Sequence, residues 1–182
     1  MSVSTVEPPA GDARAELLAL YDGAVGDVYG YLLRRCRSRA EAEDLTSEVF
    51  LAAVAAVERR PPPELTVAWL IGVARHKLVD HWRRAEREQR RLQAVADEQL
   101  TDMVDDWDVQ LDVLAARDVL ASLGAHHRSA LTLRYLDGLP VADVAGVLGR
   151  TIHATEALLV RARSAFRDAY EVVAPAGGEV QS

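Results

Sequence analysis

Arg150, His153 and Arg161 are interleaved with Ala154, Ala157 and Ser164 in the stretch LPVADVAGVLGRTIHATEALLVRARSAF, residues 139–166. At about 100° per residue, a helix whose buried face centres on Leu159, with Ile152, Thr155, Ala162 and Phe166 beside it, turns that set outward. Thr151 is a good N-cap for such a helix, and Gly149 can take the left-handed backbone of a tight turn ahead of it. In the preceding helix Val141, Val144, Ala145 and Leu148 follow the spacing of a buried stripe. Small residues let a helix approach a DNA groove closely, and arginines reach phosphates or guanine edges, so the chemistry is recognition rather than bond making. An ordinary helical pair with a solvated arginine edge has the same spacing. Glu156 could accept from a cytosine amino group, pair with an arginine or repel phosphate.

No catalytic constellation accompanies this set. The single cysteine, Cys36, excludes an intrachain disulfide and a cysteine-based zinc cluster. His126 and His127 are adjacent but lack further ligands nearby in sequence, and no glycine-rich phosphate loop occurs. No cofactor, metal or enzymatic activity is expected. The formal net charge of -7 argues against a free-standing, non-specific nucleic-acid binder. That charge is uneven, however. Residues 1–93 hold 14 basic and 14 acidic side chains, whereas 94–117 hold 1 basic against 7 acidic. No apolar run approaches the roughly 20 residues that span a bilayer. The opening MSVSTVEPPAGDAR lacks the basic start and apolar core of a signal peptide, so no membrane association and a cytoplasmic location are expected.

The elements that must position these residues are helical. A composition rich in Ala, Leu, Val and Arg with 5% aromatics favours helix over sheet. A loose tail covers 1–13; helical spacing then runs over 14–35, interrupted by glycines at 23, 26 and 30. AEAEDLTSEVFLAAVAAVE opens with acids suited to a helix N-terminus and carries Leu45, Val49, Ala52, Ala53 and Ala56 as a buried stripe; the prolines at 61–63 end it. A third helix over 66–91 has Trp69, Leu70, Val73, Leu78 and Trp82 as loosely periodic packing positions and turns strongly basic toward its end. The expected fold class is all-α. Two small helical domains, 14–92 and 112–171, flank an acidic linker at 93–111, and the second contains the helix-turn-helix.

AEDLTSEVF, then WLIGVARHKLVDHWRR, an acidic spacer and two closing helices together resemble a bacterial RNA polymerase sigma factor of the small, two-domain extracytoplasmic-function type. The resemblance covers about 17–92 and 112–168 and implies a non-catalytic initiation subunit. It implies that the helix opening AEDLTSEVF meets the clamp of the beta-prime subunit through Asp44, Leu45, Ser47, Glu48 and Phe50, with a further contact to the beta flap. It implies that Arg75, His76, Lys77, Arg83 and Arg84 face the opened promoter -10 element, where phosphates and unstacked bases invite charge and stacking. The -35 element would fall to Arg150, Thr151, His153, Ala154, Ala157, Arg161 and Ser164. Trp69 and Trp82 fit packing better than base stacking. The family pattern commonly has Gln at Ser47, Asn at His76, and basic residues at Glu156 and near Leu158, so polymerase and promoter contacts differ in detail here. Promoter DNA and core RNA polymerase are the implied partners, and an anti-sigma factor is compatible with the family.

Two other functions compete. A helix-turn-helix regulator binding duplex alone explains the closing helices but not the two earlier blocks. A polymerase adaptor that no longer reads promoters would keep the anchor without promoter-dependent initiation.

Overall fold

The structure, a computed structural model, describes residues 10–59, 61–92 and 113–173. The expected acidic linker 93–111 lies outside the described residues. Among the described residues the regular elements are all helices. They are α1 (Ala10–Leu33), α2 (Arg39–Val57), α3 (Val67–Leu92), α4 (Val113–Ser122), α5 (Ala125–Leu131), α6 (Val141–Leu148) and α7 (Ile152–Val173). Contacts gather the chain into two units, one ending at Leu78 and the other beginning at Val79, so the division falls inside α3.

In the first unit α1 begins at Ala10, four residues before the expected start, and passes its three glycines unbroken. Glycine costs a helix interior about 1 kcal/mol relative to alanine. Burial of Ala24, Val28, Tyr31 and Leu32 supplies the opposing term. Ser38 caps α2 by accepting from the Glu41 N–H at 3.2 Å, and the Glu41 carboxylate returns to the Arg37 N–H at 2.8 Å. The stripe Ala42, Leu45, Val49, Ala53 and Ala56 is buried as its spacing demands. The helix stops at Val57, ahead of the prolines, whose rings disfavour helical backbone in the residue before them. Thr66 opens α3 with its hydroxyl accepting from the Trp69 N–H at 3.1 Å. Leu70, Ala74 and Leu78 then bury at four-residue steps, while Trp69 and Val73 remain half-buried.

In the second unit α7 is the central element. One cluster joins Val119 of α4 and Leu131 of α5 to Ala162 and Phe166. Another joins Ala130, Val144, Leu148, Leu158 and Leu159, and takes in Val79 from the continuing α3. From Thr132 to Leu136 the chain after α5 forms a π-helical turn, closed by the Asp137 N–H donating to the Thr132 carbonyl at 3.0 Å. Arg134 then ties down the loop that follows by donating to the Leu139 carbonyl at 2.9 Å.

Candidate polymerase and promoter surfaces

On α2 the inward stripe leaves Asp44 and Ser47 exposed and Glu48 half-buried. Ser47 donates back to the Glu43 carbonyl at 3.0 Å, which holds its short side chain against the helix. Leu45, 2% exposed, and Phe50, whose ring meets Tyr21 edge-on at 4.7 Å, support this face from beneath. Their expected contact with a partner is therefore indirect. Sequence reasoning overlooked Leu51 and Val54, both exposed, with Leu51 one helical turn beyond Ser47 on the same face. The signal was available: an apolar residue opposite a regular buried stripe has no core to enter. Leu18 and Tyr21 of α1 are exposed as well.

The residues expected at a -10 element are divided by the structure. His76 is exposed and Arg75 half-buried. Lys77 reaches Glu48 at 3.2 Å, so a promoter candidate and a polymerase candidate neutralise each other within the first unit. Arg84 is exposed beside His81, Arg87 and Arg91 along a shallow, strongly basic hollow. Arg83 points the other way. Its Nη2 donates to the Leu148 carbonyl at 2.9 Å, where the end of α6 leaves carbonyls without intrahelical partners. Trp82, 6% exposed, lies under the Arg128 guanidinium at 4.2 Å from the ring centroid, which agrees with packing rather than stacking on bases. The Glu86 carboxylate accepts from the Ala125 N–H at 3.2 Å, a cap that Gly124 has no side chain to supply. His126, next in sequence, is held below its ordinary pKa by burial first and then by Arg150; Arg83 and Arg90 add to this, and Glu86 opposes it.

The helix-turn-helix follows its expected local chemistry. Gly149 has φ +64°, the Arg150 N–H donates to the Ala145 carbonyl at 2.9 Å, and the two together close α6. Thr151 caps α7 by accepting from the Ala154 N–H at 3.2 Å. Arg150, Thr151, His153 and Arg161 are exposed; Ala154, Ala157 and Ser164 are half-buried. Two expectations need correction. Ile152 does not join the buried face; it is 53% exposed at the first turn of α7. Leu158 is core, 4% exposed, and not part of the outward face. The buried arc runs through Thr155, Leu158, Leu159, Ala162 and Phe166, so its centre is turned about 40° from Leu159 at helical geometry. Val160 and Ser164 consequently point more directly outward than Arg161, which moves toward one flank. Glu156 is exposed, 3.9 Å from His153, on the other flank.

The Sigma-70 region 2 family matches residues 20–88, and the Sigma-70 region 4 family matches 114–166. Between them they take in α2, most of α3 and the helix-turn-helix. The chain belongs to the extracytoplasmic-function sigma factors. It is 33% identical over 125 residues to the sigma factor SigC of Mycobacterium tuberculosis, covering 69% of this chain and 68% of that one. With SigL of the same species it shares 35% over 150 residues, 77% of this chain and 81% of the other. The solved sigma factor RpoE of Bartonella quintana, crystallised with the anti-sigma factor NepR, has the same fold, with a TM-score of 0.54 at 22% identity over 88% of this sigma factor and 98% of that chain. No described helix is long and apolar enough to cross a membrane.

Proposed function

We propose that this sigma factor joins core RNA polymerase through the exposed face of α2 and reads its promoter with two separate helices. Asp44, Ser47 and Leu51 form the face offered to the beta-prime clamp, with Leu45 and Phe50 holding it rigid from inside. Arg75, His76, Lys77, Arg83 and Arg84 of α3 serve the -10 strand. The outward side of α7, with Arg150, Thr151, His153, Ala154, Ala157, Arg161 and Ser164, enters the -35 major groove. The functional division is 14–92 and 112–171, joined by the acidic spacer 93–111. Its role is non-catalytic and exercised in the cytoplasm, and its second unit has the size to meet the beta flap.

The observation that carries this reading is the exposed Leu51 beside Asp44 and Ser47. An apolar side chain on an otherwise polar helix face is suited to a protein partner, which a regulator binding duplex through α7 alone would not need. An acidic sigma factor reaches DNA as part of a larger assembly, so weak binding to free duplex is expected. Reconstitution with core polymerase on a library randomised at both promoter elements, with the initiated transcripts sequenced, tests it. Selection of defined -10 and -35 sequences is expected. Initiation indifferent to both would leave an adaptor, and duplex binding without polymerase would leave a regulator. An anti-sigma partner, such as the solved RpoE has in NepR, would compete for the α2 face or for α3.

A further inference from the structure

Four consecutive contact positions of α3 (Val79, Trp82, Arg83 and Glu86) face the helix-turn-helix unit, at the i, i+3, i+4, i+7 spacing of one helix face. Each is engaged by a different chemistry. Val79 is buried in the cluster with Val144, Leu148 and Leu159; Trp82 lies beneath Arg128; Arg83 closes the end of α6; Glu86 caps the start of α5. We propose that this docked face is an autoinhibitory latch: in the free sigma factor the second half of α3 is held by the helix-turn-helix unit, and promoter -10 engagement requires its release. The inference rests on the assignment of α3 to the -10 strand made above.

Competition follows from the atoms. Arg83 Nη2 cannot donate to the Leu148 carbonyl and to a phosphate in a different direction at once, and a ring covered by a guanidinium offers no open face there to a base. The latch is also built to open. Arg83 Nε is buried without a hydrogen-bond partner, so the docked state leaves one charged donor unsatisfied that release would return to water or to a phosphate. The opposite side of the same helix, with His81, Arg84, Arg87 and Arg91, stays accessible while the latch is shut. That side can make a first, sequence-independent contact with DNA before the docked residues exchange partners.

The test bridges the latch. Cysteines are introduced as Glu86→Cys and Gly124→Cys in a Cys36→Ser chain. The Gly124 position faces the Glu86 carboxylate so closely that a Cβ there would lie 2.9 Å from its Oε1. A short thiol-to-thiol reagent then links them, and the linked and unlinked forms of the same variant are compared in core-polymerase initiation. The expected result is at least a tenfold loss of initiation on linking, with core binding retained. Equal initiation by both forms would overturn the latch. If the unlinked form fails to initiate on any promoter while wild type does so, the cysteine pair is replaced by Arg128→Ala, which removes the cover of Trp82 without touching α3. Initiation without a lag in that variant supports the latch, and wild-type kinetics overturn it. If wild type itself fails to initiate, the promoter assignment has failed instead. Acrylamide quenching of Trp82 in a Trp69→Phe, Trp107→Phe chain reports the docked face without polymerase. A shielded indole, exposed severalfold by Arg128→Ala, is expected; an indole as accessible as free tryptophan would end the proposal.

Discussion

Leu45 and Leu51 stand six residues apart on α2 and predict opposite consequences of the same truncation. Leu51 is 68% exposed in the free chain, so Leu51→Ala removes little folded-state packing and should change stability by less than about 0.5 kcal/mol. If the clamp covers that exposed fraction, the loss appears in binding. Three carbons at about 0.8 kcal/mol each, scaled by the exposed fraction, come to about 1.6 kcal/mol. That corresponds to roughly a 15-fold weaker dissociation constant. Leu45→Ala, at a position buried in the core, should instead lower stability by about 2–5 kcal/mol and disturb binding only through unfolding. Core polymerase is titrated against fluorescently labelled sigma factor, with thermal unfolding of each variant measured alongside. Affinity within twofold of wild type for a fully folded Leu51→Ala chain would refute the assignment of this face to the polymerase.

Asp44→Arg, on the same exposed face, should weaken core binding in the same titration while helical content stays constant. Gly149→Ala should cost about 1 kcal/mol at its left-handed φ, seen as a lower unfolding midpoint, whereas Gly146→Ala inside α6 should not destabilise. For His126 the folded chain resists protonation and the unfolded chain does not. Its contribution is therefore complete above the ordinary histidine pKa and declines as pH falls through it. Unfolding midpoints between pH 8 and 5 should drop less steeply in His126→Gln, a comparison that takes in the neighbouring Arg150, Arg83, Arg90 and Glu86 unchanged. On -35-dependent initiation, Ala157→Trp should fail by steric exclusion, and Arg161→Ala should lose about 1–3 kcal/mol of discrimination if the arginine grips a guanine. Wild-type selectivity in both would reverse the assigned orientation of α7.

The helix-turn-helix was the most legible part of the chain because its signals are local: Gly149 at the turn, Thr151 at the cap, and apolar residues at helical steps. The buried arc of α7 was nearly legible. Centring it on Leu159 drew Ile152 inward, but a first-turn residue has no preceding turn beside it, and Thr155 proved a better centre because its hydroxyl is satisfied within the helix by the Thr151 carbonyl at 2.9 Å. The apolar positions of α3 looked irregular for a physical reason. Leu70, Ala74 and Leu78 answer to the first unit, while Val79 and Trp82 answer to the second, and no single period describes a helix with two sets of neighbours. Arg83 was legible as a basic residue and illegible as a cap on α6, because its acceptor is a backbone carbonyl 65 residues away. Backbone acceptors look alike at every position of a sequence.

The π-helical turn between α5 and the helix-turn-helix bears on how this chain tolerates length changes. Such a turn holds about one residue more than an α-helical turn over the same rise. Deleting one residue from the exposed part of Thr132–Leu136 would leave hydrogen-bonded helix behind, so the lesion would be one of phase rather than of integrity. Downstream side chains would rotate by about 100°, one residue's worth of helical twist. Leu133, buried between α5 and the helix-turn-helix, sits ahead of most of that rotation, whereas Arg134 would swing off the Leu139 carbonyl that it holds. The turn thus acts as a spare notch in the gearing between α5 and α6: a sequence that lost it could keep its helices and still aim α7 at the wrong angle.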